Sequence, residues 1–294
     1  MTSLAVLLCS AAYFRRFTVT RPAIGVMNGS DLVVICLAVV ATPLIYLSLP
    51  VWASVLVLVP TGFGIIIVTL QPVLSRRPLA VLVAAVLVVA DLTTAFSFGT
   101  DNVRFLAVND VLILLMVVGV SNLWAQSGMR VQHVAVLAAV LMAYDFMATS
   151  RLPVMADLQE RVGHVPLAPF IAWTVGGHDL SLGLGDLLVA ATFLLVVRRS
   201  YSRSAARVAG VVVIGGLWLS LGLVALDIVH RIIPAMVVVA PLVALQYASL
   251  RIWRGEERTT IQYLRAEPLH GAGREVPAVK PGLVLDNVSV MGGR

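Results

Sequence analysis

Apolar stretches recur from Asp31 to Leu250, and most approach the length needed to cross a bilayer. A spanning helix needs about 20 apolar residues. Hydrophobic residues make up 60% of the chain and charged ones 12%, with a mean hydropathy of +0.97. Soluble domains carry about a quarter charged residues. In lipid the backbone must satisfy its own hydrogen bonds, which a helix does alone. No alternating pattern of a membrane β-barrel is visible. The sequence therefore predicts an all-α polytopic transmembrane helical bundle of eight or nine spans.

The predicted segments follow in order. Residues 3–14 are apolar but short of a span. Residues 31–74 are too long for one helix and divide at Leu49-Pro50, since proline suits the turn between two helices. Further spans are expected at residues 79–98, 108–124, 131–149, 180–197, 208–229 and 232–250. The polar stretch 150–179 is the longest internal one. It is expected to hold a short interfacial helix or a flap. Residues 1–250 then form the membrane domain and 251–294 a tail, mostly disordered from Gly255 onward.

The net charge is +6, and all 21 basic residues except Lys280 are arginine. On a soluble protein this would suggest nucleic acid. Here the arginines lie between apolar spans, so they report topology, and no nucleic-acid partner is expected. Arginine-rich connections follow the first, third, seventh and last segments. By the positive-inside rule these connections and the C-terminus are cytoplasmic. The preference for Arg, Ala, Val and Gly over Lys points to a bacterial protein, hence to a multi-pass protein of the inner membrane. Cys9 and Cys36 form no metal-binding or disulfide pattern, and neither metal nor cofactor is expected. Arg15-Arg16 follow the first apolar run instead of leading it, unlike a cleaved secretory signal.

One stretch stands out. Asp186 lies just inside an apolar segment, in Gly183-Leu184-Gly185-Asp186. An acid at membrane depth is costly and is read as functional, with a partner to be named. The partner proposed from sequence is Asp145, which follows Tyr144 late in the preceding segment. Both then lie near the membrane face that bears the 150–179 loop. Two such carboxylates around one water form a hydrolytic device: one, ionised, takes a proton from the water, and the other, protonated, donates to the carbonyl oxygen. Gly183 and Gly185 allow close backbone approach beside the acid. Pro241 removes a backbone donor from the last span and frees a carbonyl nearby.

At these residues the chain resembles the presenilin and signal peptide peptidase family of intramembrane aspartyl proteases. That family carries Tyr-Asp on its sixth span, Gly-x-Gly-Asp on its seventh and Pro-Ala-Leu on its ninth. Tyr144-Asp145, Gly183-Leu184-Gly185-Asp186 and Pro241-Leu242 fall on the sixth, seventh and ninth predicted segments. The stretch Asp157-Leu158-Gln159-Glu160-Arg161 is also similar to presenilin. The likeness covers roughly residues 131–247. It implies a presenilin-like fold and an aspartic endopeptidase that cuts transmembrane peptide segments within the lipid bilayer. Asp145 and Asp186 would be catalytic, with Tyr144, Gly183, Leu184, Gly185, Pro241 and Leu242 at the substrate. The third motif reads Pro241-Leu242-Val243 and the long presenilin insertion between the aspartates is missing. The inferred orientation is that of signal peptide peptidase.

Other acids have simpler readings. Asp31, Asp110 and Asp227 lie near span ends, where solvation or capping accounts for them. Asp91 lies deep in its span, and a structural hydrogen bond is the expected role. His178 and His230 lack metal-ligand spacing. The rival readings are a proton-coupled transporter or idle helical scaffold, and a protease like prepilin peptidase, which shares Gly-x-Gly-Asp. That family has a basic residue soon after the motif, where this chain has Leu187-Leu188-Val189.

Overall fold

The structure, a computed structural model, describes residues 2–19, 27–150, 154–175, 178–226, 234–255 and 257. These residues form ten helices and one hairpin: α1 (Thr2–Arg16), α2 (Gly29–Ser48), α3 (Val51–Leu74), α4 (Arg77–Phe98), α5 (Val103–Gln126), α6 (Val131–Ser150), α7 (Val154–Val162), β1 (Phe170–Val175), β2 (His178–Gly183), α8 (Leu184–Ser200), α9 (Arg203–Ala225) and α10 (Ala235–Arg254). Seven of them, α2 to α6, α9 and α10, are long and apolar enough to cross a membrane. The chain is thus a polytopic helical bundle. α1 and α8 are shorter, at 15 and 17 residues.

Several boundaries have legible causes. α2 begins at a capping box: the Asn28 side chain accepts from the Ser30 and Asp31 amides, and Asp31 accepts from the Asn28 amide at 2.8 Å. This is the capping role expected of Asp31. α2 ends at Ser48 and α3 starts at Val51, with Pro50 as N-cap, so the long apolar run divides at Leu49-Pro50 as the sequence predicts. α5 starts at Val103, five residues before the predicted span, because Asn102 caps it through the Arg104 amide.

The predicted span 180–197 is corrected at its start. Leu180 to Gly183 belong to β2, which pairs antiparallel with β1 from Val175–His178 to Phe170–Gly183. Helix begins only at Leu184. Hydropathy marks residues 180–183 as membrane-like but does not distinguish strand from helix in so short an apolar run. The polar stretch before it holds the expected short helix, α7. The Arg161 guanidinium of α7 donates to the Leu47 and Leu49 carbonyls at 2.5 and 2.6 Å, meeting orphan acceptors at the end of α2.

α8 stands at the centre, packed on α1, α5, α6 and α9. Ten of its residues are buried, among them Leu187, Ala190, Ala191, Phe193 and Val197. At the periphery, α2 buries only Leu32 and turns Val33, Val34 and Leu37 outward. An outward leucine is no liability in lipid, where packing and polar satisfaction hold helices together. Trp52 and Trp253 lie exposed at helix ends, as interfacial anchors do.

Close approach of α3 and α5 depends on one glycine. A Cβ on Gly119 would fall 1.8 Å from the Thr69 hydroxyl oxygen, which donates to the Ile65 carbonyl and reaches the Leu115 carbonyl of α5 at 3.2 Å. Gly119→Ala is expected to destabilise the fold by about 1–3 kcal/mol through overpacking. Thermal unfolding in micelles measures this. Adding Thr69→Ala is expected to restore most of the loss, as a shared contact requires.

Candidate active site

Asp186 sits in the first turn of α8, and Gly183 is the N-cap of that helix. The Gly183 amide donates to Asp186 Oδ2 at 3.2 Å. A Cβ on Gly183 would stand 3.3 Å from the same oxygen, whereas one on Gly185 meets nothing within 4 Å. Gly183 therefore keeps space beside the carboxylate, and Gly185 borders open space. Between them, the Leu184 amide donates to the Pro169 carbonyl at 2.9 Å and closes the hairpin base.

Asp145 lies late in α6, which packs against α8. The two carboxylates are close enough for the charge of Asp145 to bear on Asp186. Both side chains are partly buried. Tyr144 adds a buried hydroxyl with no hydrogen-bond partner among the described residues. Buried phenols normally find one, so this group has capacity left for a ligand.

The structure thus brings Asp145 and Asp186 together on neighbouring helices. It does not bring Pro241 onto the packed face of α10. Met236, Val239, Ala240 and Val243 make that face, while Pro241, Ala244, Leu245 and Ala248 form an exposed stripe. Leu242 leans on α9, where a Cβ added to Gly216 would stand 2.8 Å from Leu242 Cδ1. Asp227 and His230 lie outside the described residues.

Asp91 has the structural bond expected of it. Thr93 and Thr94 bond to helix carbonyls, whereas Asp91 Oδ2 accepts from the Leu167 amide at 2.8 Å. Leu167 is held at φ 54°, a left-handed conformation unusual for leucine, with its side chain seated over Gly62. Next to it, Asn109 of α5 donates to the Ala168 and Phe170 carbonyls at 3.1 and 3.0 Å. Asp91 and Asn109 together pin the segment that leads into β1. Sequence reading did not find Asn109. Its only signal was a polar residue in an apolar helix.

The second unforeseen residue is Glu257, in the stretch predicted to be disordered. Of residues 255–294 the structure describes Gly255 and Glu257. Glu257 is buried and accepts from the Val131 amide at 2.6 Å and the Ser200 hydroxyl at 2.9 Å, with Arg130 Nε 3.8 Å away. It joins the start of α6 to the end of α8. A signal existed in Arg130-Val131: this helix start lacks the Ser, Thr, Asp or Asn that would cap it locally.

Among the described residues no group of three or more His, Cys, Asp or Glu side chains is placed to hold a metal ion. Compared with models of known protein families and with curated proteins, the chain matches none significantly.

Asp91→Ala is expected to cost about 1–3 kcal/mol, because the buried Leu167 amide loses its acceptor. Asp91→Asn keeps an oxygen at that place and is expected to retain most of the stability. Chemical denaturation of the two variants in micelles makes the comparison.

Proposed function

We propose that the chain is an intramembrane aspartyl endopeptidase with Asp145 and Asp186 as its catalytic pair. The observation that carries this reading is the juxtaposition of the two acids on packed, apolar helices, in the sequence setting Tyr-Asp and Gly-x-Gly-Asp of the presenilin and signal peptide peptidase family. α1 and α8 then count as spans beside the seven longer helices, giving nine. The positive-inside rule places the arginine-rich ends and the C-terminus in the cytoplasm of a bacterial inner membrane. The substrates are single transmembrane segments.

The reaction needs no metal. One carboxylate, ionised, takes a proton from water as its oxygen attacks the peptide carbonyl carbon. The other, protonated, donates to the carbonyl oxygen. The tetrahedral intermediate then loses its amine as a proton returns to the nitrogen. Open space at Gly185 gives an extended backbone room beside Asp186, and the Tyr144 hydroxyl supplies a hydrogen bond. Pro241, on the exposed stripe of α10, and Leu242, against α9, stay candidate substrate contacts.

A non-catalytic use for Asp186 also has an observation behind it, the capping bond from Gly183. Asp145 stands inside α6, away from any helix start, so its variant separates the two readings. Asp145→Ala is expected to lower cleavage of single-span test segments by at least about 100-fold, the lower bound for losing an acid–base group. Undiminished cleavage would remove the dyad. A wild-type protein that cuts none of a varied panel would favour the transporter or scaffold class.

Dependence on pH gives a further check. The step needs one carboxylate charged and the other protonated. The rate is therefore expected to fall on both the acid and the alkaline side, in a bell that belongs to the coupled pair. A rate that rises monotonically with pH would contradict a shared proton.

A further inference from the structure

Toward the end of α8 opposite Asp186 lies a second feature. α1 and α9 both pack on α8, and between them runs a groove of about 440 Å³. Its walls are apolar, with Leu4, Leu7 and Leu8 from α1, Leu194 from α8, and Val211 and Ile214 from α9. At one end stand four arginines. Arg15 comes from the last turn of α1, Arg198 from the last turn of α8, and Arg203 and Arg207 from the start of α9.

Among the described residues no carboxylate pairs with any of the four. Arg198 donates to the Ala11 carbonyl at 3.3 Å and lies 5.9 Å from the Phe14 ring centre, and the charges of Arg15 and Arg203 both bear on it. Four like charges converging without an acid call for an anion. Arginine meets phosphate through paired N–H donors.

The depth of the groove narrows the choice of anion. Leu4 lies eleven residues from Arg15 along α1, and Ile214 eleven from Arg203 along α9. At 1.5 Å per residue both walls run about 16 Å from the charged end. That is about half the ~30 Å hydrocarbon core, the reach of one leaflet. The charged and apolar parts thus match an amphiphile standing in the leaflet at the arginine-rich face. A soluble phosphate would leave the leucine walls unused, and a zwitterionic lipid would bring a cation against the arginines.

The geometry points to a binding site for an anionic phospholipid. Its phosphate lies among Arg15, Arg198, Arg203 and Arg207, and one acyl chain lies along the groove between α1 and α9. Basic pockets between membrane helices recognise anionic head groups in this way.

The test is native mass spectrometry of the full chain in a neutral detergent, titrated with phosphatidylglycerol or phosphatidylcholine. Phosphatidylglycerol is expected to bind one copy at least roughly tenfold more tightly than phosphatidylcholine. Arg203→Gln and Arg207→Gln, both at exposed positions, are each expected to weaken it about fivefold, and together roughly thirtyfold. The control Arg76→Gln/Arg77→Gln, on the exposed start of α4, is expected to leave binding unchanged. Millimolar inorganic phosphate is expected not to displace the lipid. Equal retention of the two lipids, or indifference to the α9 arginines, would overturn the proposal. Displacement by phosphate would make this a site for a free anion instead.

Discussion

A bilayer offers no hydrogen bonds, so a chain that leaves the helix within it must meet its own backbone groups. Between Val162 and Leu184 this chain leaves the helix and draws partners from its own strands and side chains. The hairpin β1–β2 pairs one set of donors and acceptors. What the ladder does not reach is met by side chains from apolar helices: Asp91 takes the Leu167 amide, and Asn109 serves the Ala168 and Phe170 carbonyls. Each lost partner would leave a buried polar group at a cost of about 1–3 kcal/mol. Polar residues inside α4 and α5 are thus a condition for an irregular segment elsewhere, rather than a flaw in those spans.

That irregular segment sets where Asp186 stands. A helix of 17 residues is about 25 Å long, short of the ~30 Å hydrocarbon core. On the proposed topology, with Arg198 and Arg199 at one interface, the other end of α8 stops short of the opposite one. The hairpin base, closed by the Leu184 amide on Pro169, lies directly before its start. On that topology Asp186 is inset because its helix begins late. The bond from the Gly183 amide ties the last residue of β2 to the carboxylate.

The sequence made the helical architecture readable because lipid leaves so few alternatives. The turn at Leu49-Pro50, the cap at Asp31 and the pairing of segments six and seven all followed from local residue chemistry. The beginning of α8 did not. Leu180, Leu182 and Leu184 satisfy hydropathy equally as strand or helix, and only long-range pairing with Phe170–Val175 decides between them. Asn109 and Glu257 escaped for the same reason, since their partners lie 57 and more residues away. Pro241 is a different case. A motif gives its position along a helix, but which face it occupies depends on what packs beside it, and here Val239, Ala240 and Val243 take the inner face.

Two neighbouring acids repel when both are charged, and in a low dielectric that repulsion is larger than in water. Helices that carry such a pair need another tie. α6 and α8 have one at their far ends, where Glu257 accepts from Val131 and from Ser200. Asp145 is fourteen residues from Val131, about 21 Å along α6. The tie therefore restrains the separation of the helices without touching the carboxylates, and leaves the space around Gly185 unobstructed. A tie nearer the acids would have to bond to them or fill the open space at Gly185. A residue beyond the last helix can close the opposite end because α10 packs against α6 and delivers the chain to the start of that helix.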